Sequence, residues 1–277
     1  MPELPEVETI RRTLQELVVG KTIKNVSVFW PKIIKKPVEI EQFTDALQGE
    51  TITDINRRGK FLIINTNTYA LVSHLRMEGK YGLFSKEETI DKHTHVIFHF
   101  TDGTELRYRD VRKFGTMHLF LKGEENNQLP LLQLGPEPFS SDFTKKYLQD
   151  KLRKTERKIK PALLDQTVVT GLGNIYVDEA LFRAQIHPDR KANTLTGREI
   201  TLLHREIIET LSEAVEKGGS TIRSYVNSQG QIGMFQLELL AYGRKGEPCK
   251  RCGTPIEKTV TGGRGTHFCP KCQKIKQ

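Results

Sequence analysis

The sequence has no cysteine before position 249, no apolar run long enough to cross a bilayer, and no internal repeat. The first absence leaves nothing with which to staple the body of the chain by disulfides. A membrane helix needs about 20 consecutive apolar residues, and the N-terminus also lacks the basic start and apolar core of a secretory signal. A soluble, cytoplasmic protein with no membrane partner is therefore expected. Hydrophobic residues make up only 36% of the 277, a low but globular share. That length suggests two domains, or one domain with an appendage.

What is present in excess is positive charge, and it is unevenly spread. The formal net charge is +9. From Arg244 to Gln277 there are nine Lys or Arg against Glu247 and Glu257, a net +7 in the tail. A second concentration, KLRKTERKIK at 151–160, holds six basic residues and one acidic one. Basic stripes of this kind suit a phosphate backbone.

All four cysteines lie in the basic tail, as Cys249, Cys252, Cys269 and Cys272. The spacing C-x2-C-x16-C-x2-C presents two thiolate pairs on two tight turns, which can close a tetrahedral zinc site. Four thiolates leave no open position for water, so one structural Zn2+ is expected, holding a basic β-hairpin together. The hairpin tip is VTGGRGTHF at 260–268, where glycines on both sides of Arg264 permit close backbone approach and the arginine projects from the turn.

Ahead of the tail, 22–30 and 51–66 contain alternating apolar positions, 93–110 reads as a hairpin about Asp102-Gly103, and 69–84 as another strand pair. A Pro-, Glu-, Asn- and Ser-rich stretch at 123–142 reads as a linker. Helical periodicity follows at 142–153, 161–165, 174–184 and 197–217, and a glycine-rich stretch at 217–235 precedes the tail. The expected domains are 1–132, a β-sandwich; 133–236, helical; and 237–277, the zinc finger.

The chain opens MPELPEVETIRRTL, an acidic helical turn in a basic protein. Proline and carboxylates both suit a first helical turn. On a helical wheel Val7, Ile10, Leu14 and Leu17 form an apolar stripe with Leu4 at its margin. Glu3 falls inside that stripe and Glu6 at its edge, whereas Glu8, Arg12 and Gln15 face solvent with Arg11 near the boundary. A carboxylate on the buried side needs partners or a cleft.

Several short segments carry weaker signals one by one. In TGLGNIYVDEALF (170–182) two glycines precede a helix beginning near Asn174, whose free N–H groups suit an anion or an ordinary asparagine cap. RRGKF (57–61) sets Lys60 at a hairpin turn, where a lysine is ordinarily solvated. HLRMEG (74–79) and DVRKFGT (110–116) join basic and bulky apolar residues at loops, a combination that can wedge between base steps or simply fill a core.

Together PELPEVET, RRGKF, SHLRMEG, DVRKFGT, LGPEP, LLDQ, GLGNIYVDE and GRGTHFC resemble the formamidopyrimidine-DNA glycosylases, a bacterial repair family that removes 8-oxoguanine and ring-opened purines. The resemblance implies a multidomain α+β chain with an N-terminal β-sandwich and its flanking helices, a helical helix-two-turn-helix domain and a C-terminal zinc-finger β-hairpin. It implies damaged double-stranded DNA as the partner of a monomer, and excision followed by strand cutting. Base chemistry of this kind requires extrusion from the duplex.

By the same resemblance, Pro2 is the nucleophile once Met1 is removed, Glu3 the proton donor, Lys60 an assistant in glycosidic cleavage and β-elimination, and Arg264 the fingertip residue linked to δ-elimination. Met77, Arg112 and Phe114 match the residues that fill the void left by the damaged nucleotide. His74, His93, Lys160 and Asn174 match DNA-contact positions, and Ser220 to Tyr225 the lesion-capturing loop. Glu156 departs from relatives that are basic near that place, which puts one phosphate contact in doubt.

Two other readings remain open at this level. One is an endonuclease VIII type enzyme acting on oxidised pyrimidines, which Leu4 disfavours because that sister family typically opens Pro-Glu-Gly-Pro-Glu. The other is a non-catalytic zinc-ribbon DNA-binding protein, which leaves the carboxylates beside Pro2 without a purpose.

Overall fold

The computed structural model describes residues 1–220 and 234–275. They fall into two compact units, the first made of 1–132 with Ser220, the second of 133–219 and the chain from Met234.

The first unit runs α1 (Leu4–Val18), β1 (Ile23–Val28), β2 (Ile34–Lys36), α2 (Ile40–Leu47), β3 (Ile52–Arg58), β4 (Phe61–Thr66), β5 (Tyr69–His74), β6 (Lys80–Ser85), β7 (Thr94–Phe100), β8 (Thr104–Arg109) and β9 (Thr116–Leu121). Its strands form two sheets, ordered β1-β7-β8-β6 and β2-β9-β5-β4-β3. Val26, Phe98 and Leu106 from one sheet and Ile55, Ile64, Leu71 and Met117 from the other share a single core, joined by Leu14 of α1 and Phe43 of α2. This is the β-sandwich expected, and β7 and β8 form the hairpin about Asp102-Gly103.

Two expectations are corrected here, and one flanking helix is located. Residues 69–84 hold two strands but not a pair: β5 bonds β4 and β9, whereas β6 bonds β8 in the other sheet. Alternation identifies a strand without naming its partner, and here the chain changes sheets between Leu75 and Gly79, with Arg76 at φ 53°. The second flanking helix, α2, had no position assigned to it from periodicity, although Ile40, Phe43 and Leu47 fall at helical spacing and the last two are buried. The polar flank of α1 is also less solvated than the wheel implies, because the helix lies along β3. Glu8 is only 14% exposed between Arg11, Arg12 and Arg57, and Gln15 accepts the Ile55 N–H. On the apolar side Leu4 and Val18 are fully buried while Leu17 is half-buried.

The second unit contains α3 (Lys145–Arg153), α4 (Ile159–Leu164), α5 (Asn174–Arg183), α6 (Gly197–Glu216) and a hairpin of β10 (Glu257–Thr261) and β11 (Arg264–Phe268). Helix starts follow the capping residues. Thr144 accepts the Tyr147 N–H at the head of α3, and Thr196 and Glu199 form a reciprocal capping box on α6. The α6 face that turns inward carries Ile200, Leu203, Ile207, Leu211 and Ala214, the spacing of an amphipathic helix. Pro161 sits in the first turn of α4, where its missing N–H would have had no helical partner. Among the described residues no helix is long and apolar enough to cross a membrane.

Candidate active site and nucleic-acid interface

The acidic opening turn is a capping device. Glu3 is the N-cap of α1; its carboxylate accepts the Glu6 N–H, and Glu6 Oε2 accepts the Glu3 N–H at 2.8 Å. Each buried carboxylate thereby satisfies an orphan donor of the helix start. Helix capping therefore accounts for Glu3 more fully than the wheel suggested. Pro5, not Pro2, occupies the first turn; Pro2 lies just ahead of the cap and is buried, as are Glu3 and Glu6. The second Glu6 oxygen, Oε1, accepts the Ser220 N–H at 2.8 Å. One carboxylate thus ties the Pro2-Glu3 turn to the first residue of the 220–225 segment, whose other residues lie outside those described.

Lys60 occupies the two-residue connection between β3 and β4, with Gly59 at φ 57° as a tight hairpin loop requires. Lys60 is not the solvated lysine ordinarily found at such a turn: it is 6% exposed. The loop is held by Arg57, which donates to the Gly59 carbonyl at 2.9 Å and to Glu8 Oε2 at 3.1 Å. Glu8 therefore links the helix that Pro2 and Glu3 lead into to the loop that carries Lys60.

His74 packs beside this loop, its ring edge-on to Phe61 at 4.5 Å. Its Nδ1 accepts the Arg76 N–H at 2.9 Å. Burial, with the charges of Arg76 and Lys60 behind it, lowers its pKa to about 3. The imidazole is neutral at physiological pH, and with Nδ1 accepting, Nε2 carries the hydrogen. His74 is thus a neutral donor. His93 sits half-buried ahead of β7, its N–H on Asp91 Oδ1 at 2.7 Å.

The wedge residues stand out into solvent. Met77 is 37% exposed and Phe114 50%, so the commoner reading as core side chains does not hold. The Arg112 guanidinium lies over the Phe114 ring at 4.7 Å from its centroid. Two residues that the motif reading overlooked build this platform. Asp110, 1% exposed, accepts the N–H groups of Arg112, Phe114 and Gly115 at 3.0, 2.9 and 2.8 Å. Tyr108, fully buried, places its hydroxyl where a β-carbon on either Gly79 or Gly115 would collide with it. The loops holding Met77 and Phe114 are therefore packed on one phenol. The signal available in sequence was the glycine in each motif, Gly79 at the end of one and Gly115 next to last in the other.

In the second unit the four cysteines converge, with all Sγ atoms within 4.8 Å of one another. Cys249 and Cys272 lie 4.0 Å apart and Cys252 and Cys269 3.5 Å. Four sulfurs about 2.3 Å from a tetrahedral zinc stand about 3.8 Å from each other, so the donor set fits the metal. Cys249 and Cys269 are buried against Phe182 of α5, Ala241 and Ile256.

Arg264 is exposed at the head of β11, as expected of a fingertip residue. Lys160 is not displayed to a phosphate: its side chain is fully buried, and Nζ bonds Asp178 Oδ1 at 2.7 Å, the Gly265 carbonyl at 2.9 Å and Thr266 Oγ1 at 2.9 Å. The other basic residues of that run, Lys151, Arg153, Lys154, Arg157 and Lys158, are exposed, and Glu156 lies 3.5 Å from Lys191. Asn174 does not cap α5 either. Gly173 is the N-cap, and Asn174 Nδ2 donates to the Gly265 carbonyl at 3.0 Å.

A β-sandwich with a capped proline turn, a helical unit and a four-cysteine hairpin define a multidomain α+β protein of the zinc-finger class. Comparison with known proteins narrows this. Residues 1–117 match the formamidopyrimidine-DNA glycosylase N-terminal domain, 134–226 the helix-two-turn-helix domain of the same enzymes, and 246–275 a zinc finger found in them and in IleRS. The chain belongs to the formamidopyrimidine-DNA glycosylase family. It is 69% identical over 274 residues to the formamidopyrimidine-DNA glycosylase of Bacillus licheniformis, covering 99% of this chain and 100% of that one. With that of Bacillus subtilis it is 66% identical over 276 residues, covering all of both. Two solved structures of the Lactococcus lactis enzyme, one bound to DNA with an abasic site and one to DNA with an N7-benzyl-Fapy-dG, are each 47% identical. They superpose with TM-scores of 0.93 and 0.92, over 99% of this chain and 100% of each.

Proposed function

We propose that this protein is a base-excision-repair glycosylase and AP lyase that extrudes oxidised purines from duplex DNA, removes them, and cuts the strand. The observation that carries this reading is the capped turn, which buries Pro2 and Glu3 together at the head of α1 in a chain of this family.

Pro2 acts after Met1 is removed, since only then is its nitrogen a secondary amine. An N-terminal amine with a pKa of about 7.7–8.0 is about one-tenth neutral near pH 7. Its lone pair attacks sugar C1′ as the base departs, Glu3 supplying the proton that opens the ring and assists departure. The resulting iminium is an electron sink. Loss of the C2′ proton gives an enamine, which expels the phosphate from C3′. Loss of the C4′ proton then gives a dienamine, which expels the phosphate from C5′ and restores the iminium. Water finally releases Pro2.

Lys60 lends positive charge at the first of these steps, and Arg264 pairs with a departing phosphate. Met77, Arg112 and Phe114 occupy the gap left by the extruded nucleotide, with Arg112 hydrogen-bonding the orphaned base. His74, His93 and Asn174 contact the backbone, Asn174 through its second amide hydrogen. The zinc, held by the four cysteines, is structural and leaves no open position for substrate. The protein works as a monomer on DNA in the cytoplasm of a bacterium.

Cleavage of duplexes carrying 8-oxoguanine opposite cytosine, compared with thymine glycol, tests the substrate class. Faster cleavage of 8-oxoguanine supports the purine reading. A preference for thymine glycol transfers the same chemistry to oxidised pyrimidines.

A further inference from the structure

The charged and polar groups buried beside the finger hairpin converge on one stretch of backbone. Asn174, Asp178 and Phe182 lie four residues apart along α5 and so share a face. Phe182 packs on Cys249 and Cys269. Asp178 Oδ2 accepts the His267 N–H at 2.8 Å, and Asp178 Oδ1 holds the Lys160 ammonium. Lys160 donates to the Gly265 carbonyl and to Thr266 Oγ1, and Asn174 donates to that same Gly265 carbonyl. The Thr266 hydroxyl passes the chain on, donating to the carbonyl of Arg264 itself at 2.9 Å.

Two further contacts hold the other strand. Thr261 donates to Asp189 Oδ1 at 2.7 Å, and a β-carbon on Gly262 would meet Pro161 of α4 at 2.6 Å. The fingertip backbone from 261 to 267 is thus seated on α4, α5 and the turn at Asp189. A fully buried lysine and aspartate are a costly way to make a hairpin stick, because apolar residues of similar volume usually serve as well. What the pair supplies is direction: Lys160 fixes the Gly265 carbonyl and the Thr266 hydroxyl, and that hydroxyl fixes the carbonyl of the exposed Arg264.

We propose that Lys160, Asp178 and Thr266 are positioning residues for Arg264, setting where its guanidinium meets the phosphate that leaves in δ-elimination. The proposal rests on the reading of Arg264 given above. The network aims a backbone and touches no substrate. Its loss therefore changes the partition between products more than it changes total cleavage. Without an aligned Arg264 the reaction halts after the C3′ phosphate has left.

The test uses the full-length, zinc-loaded protein and a 5′-labelled duplex with a preformed abasic site. Ends that stop at the 3′-unsaturated aldehyde are resolved from 3′-phosphate ends. Thr266→Val removes only the hydroxyl, and the aldehyde-to-phosphate ratio is expected to rise about fivefold, the effect of losing one net hydrogen bond. Thr266→Ser restores the hydroxyl and the wild-type ratio. Lys160→Met shifts the ratio in the same direction, and zinc content measured on each sample separates this from loss of the finger. Arg264→Ala serves as the reference. If it raises the ratio and Thr266→Val does not, or if Thr266→Ser fails to restore it, the positioning role is overturned. If Arg264→Ala leaves the ratio unchanged, the reading of Arg264 falls first and the proposal with it.

Discussion

Gly115 lies so close to Tyr108 that a β-carbon on the glycine would stand 1.7 Å from the phenol oxygen, and one on Gly79 would stand 2.3 Å from the same atom. The two wedge loops therefore share a single buried support. Gly115→Ala forces the phenol to move and is expected to cost about 1–3 kcal/mol, as overpacking of a filled interior does. Urea unfolding measures the stability. Excision is expected to fall further than stability alone explains, because Met77 and Phe114 are both displaced. Unchanged urea midpoint and unchanged excision together would show that the two loops do not depend on Tyr108.

Asp110 carries the geometry of the loop that presents Arg112 and Phe114. Asp110→Asn keeps the size but turns an amide toward N–H donors, removing at least one hydrogen bond to a charged acceptor. Such bonds contribute about 1.5–3 kcal/mol each. Single-turnover excision of 8-oxoguanine is expected to slow about tenfold or more, with weaker binding to an uncleavable abasic analogue. Wild-type kinetics would separate Asp110 from wedge placement.

Glu8 provides a pH test of the link between α1 and the Lys60 loop. Burial alone would raise its carboxyl, but hydrogen bonds and charges from Arg11 and Arg57 outweigh that and hold its pKa below the ordinary value of 4.5. A depressed folded-state pKa means that the stabilisation is present above the unfolded value and is lost as pH falls through the folded one. Glu8→Gln is therefore expected to be about 1–3 kcal/mol less stable near pH 7, with the gap from wild type narrowing as pH falls below the ordinary value of 4.5. Urea midpoints at the two pH values measure it, and a gap independent of pH would contradict the assignment.

The metal site predicts a dependence of activity on zinc content. Structural zinc sites of this kind contribute about 10–16 kcal/mol of apparent binding free energy to the folding of small fingers. Removing zinc by chelation, or replacing Cys252 with serine, is expected to abolish strand cutting in proportion to the metal lost. Zinc restored with reductant recovers it only in the wild type. Full cleavage by metal-free protein would contradict a structural finger.

Much of the fold was legible because it depends on neighbours in sequence. The Asp102-Gly103 hairpin, the helical periodicity at 197–217 that becomes α6 and the spacing of the four cysteines each reside within a few residues or in a repeated interval. What stayed hidden depends on partners far along the chain. Lys160 reads as one more cation in a basic run until Asp178 and the strand at Gly265 and Thr266 enclose it. Lys60 reads as a solvated turn lysine until Arg57 and Glu8 fix its loop. The sheet change between β5 and β6 is equally long-range, because alternation is the same whichever strand lies alongside. The candidate catalytic residues came from resemblance; the local pattern showed only that Pro2 and Glu3 suit the start of a helix.

Borohydride trapping on DNA tests the central assignment most directly. The active protein is incubated with a duplex carrying 8-oxoguanine opposite cytosine under borohydride, and the cross-linked peptide is sequenced by mass. The expected adduct is a tertiary amine at the Pro2 nitrogen, formed by reduction of the iminium, in a peptide that has lost Met1, and protein that retains Met1 gives no adduct at Pro2. An active preparation that gives no adduct, or one whose adduct maps to a lysine such as Lys60, would contradict Pro2 as the nucleophile.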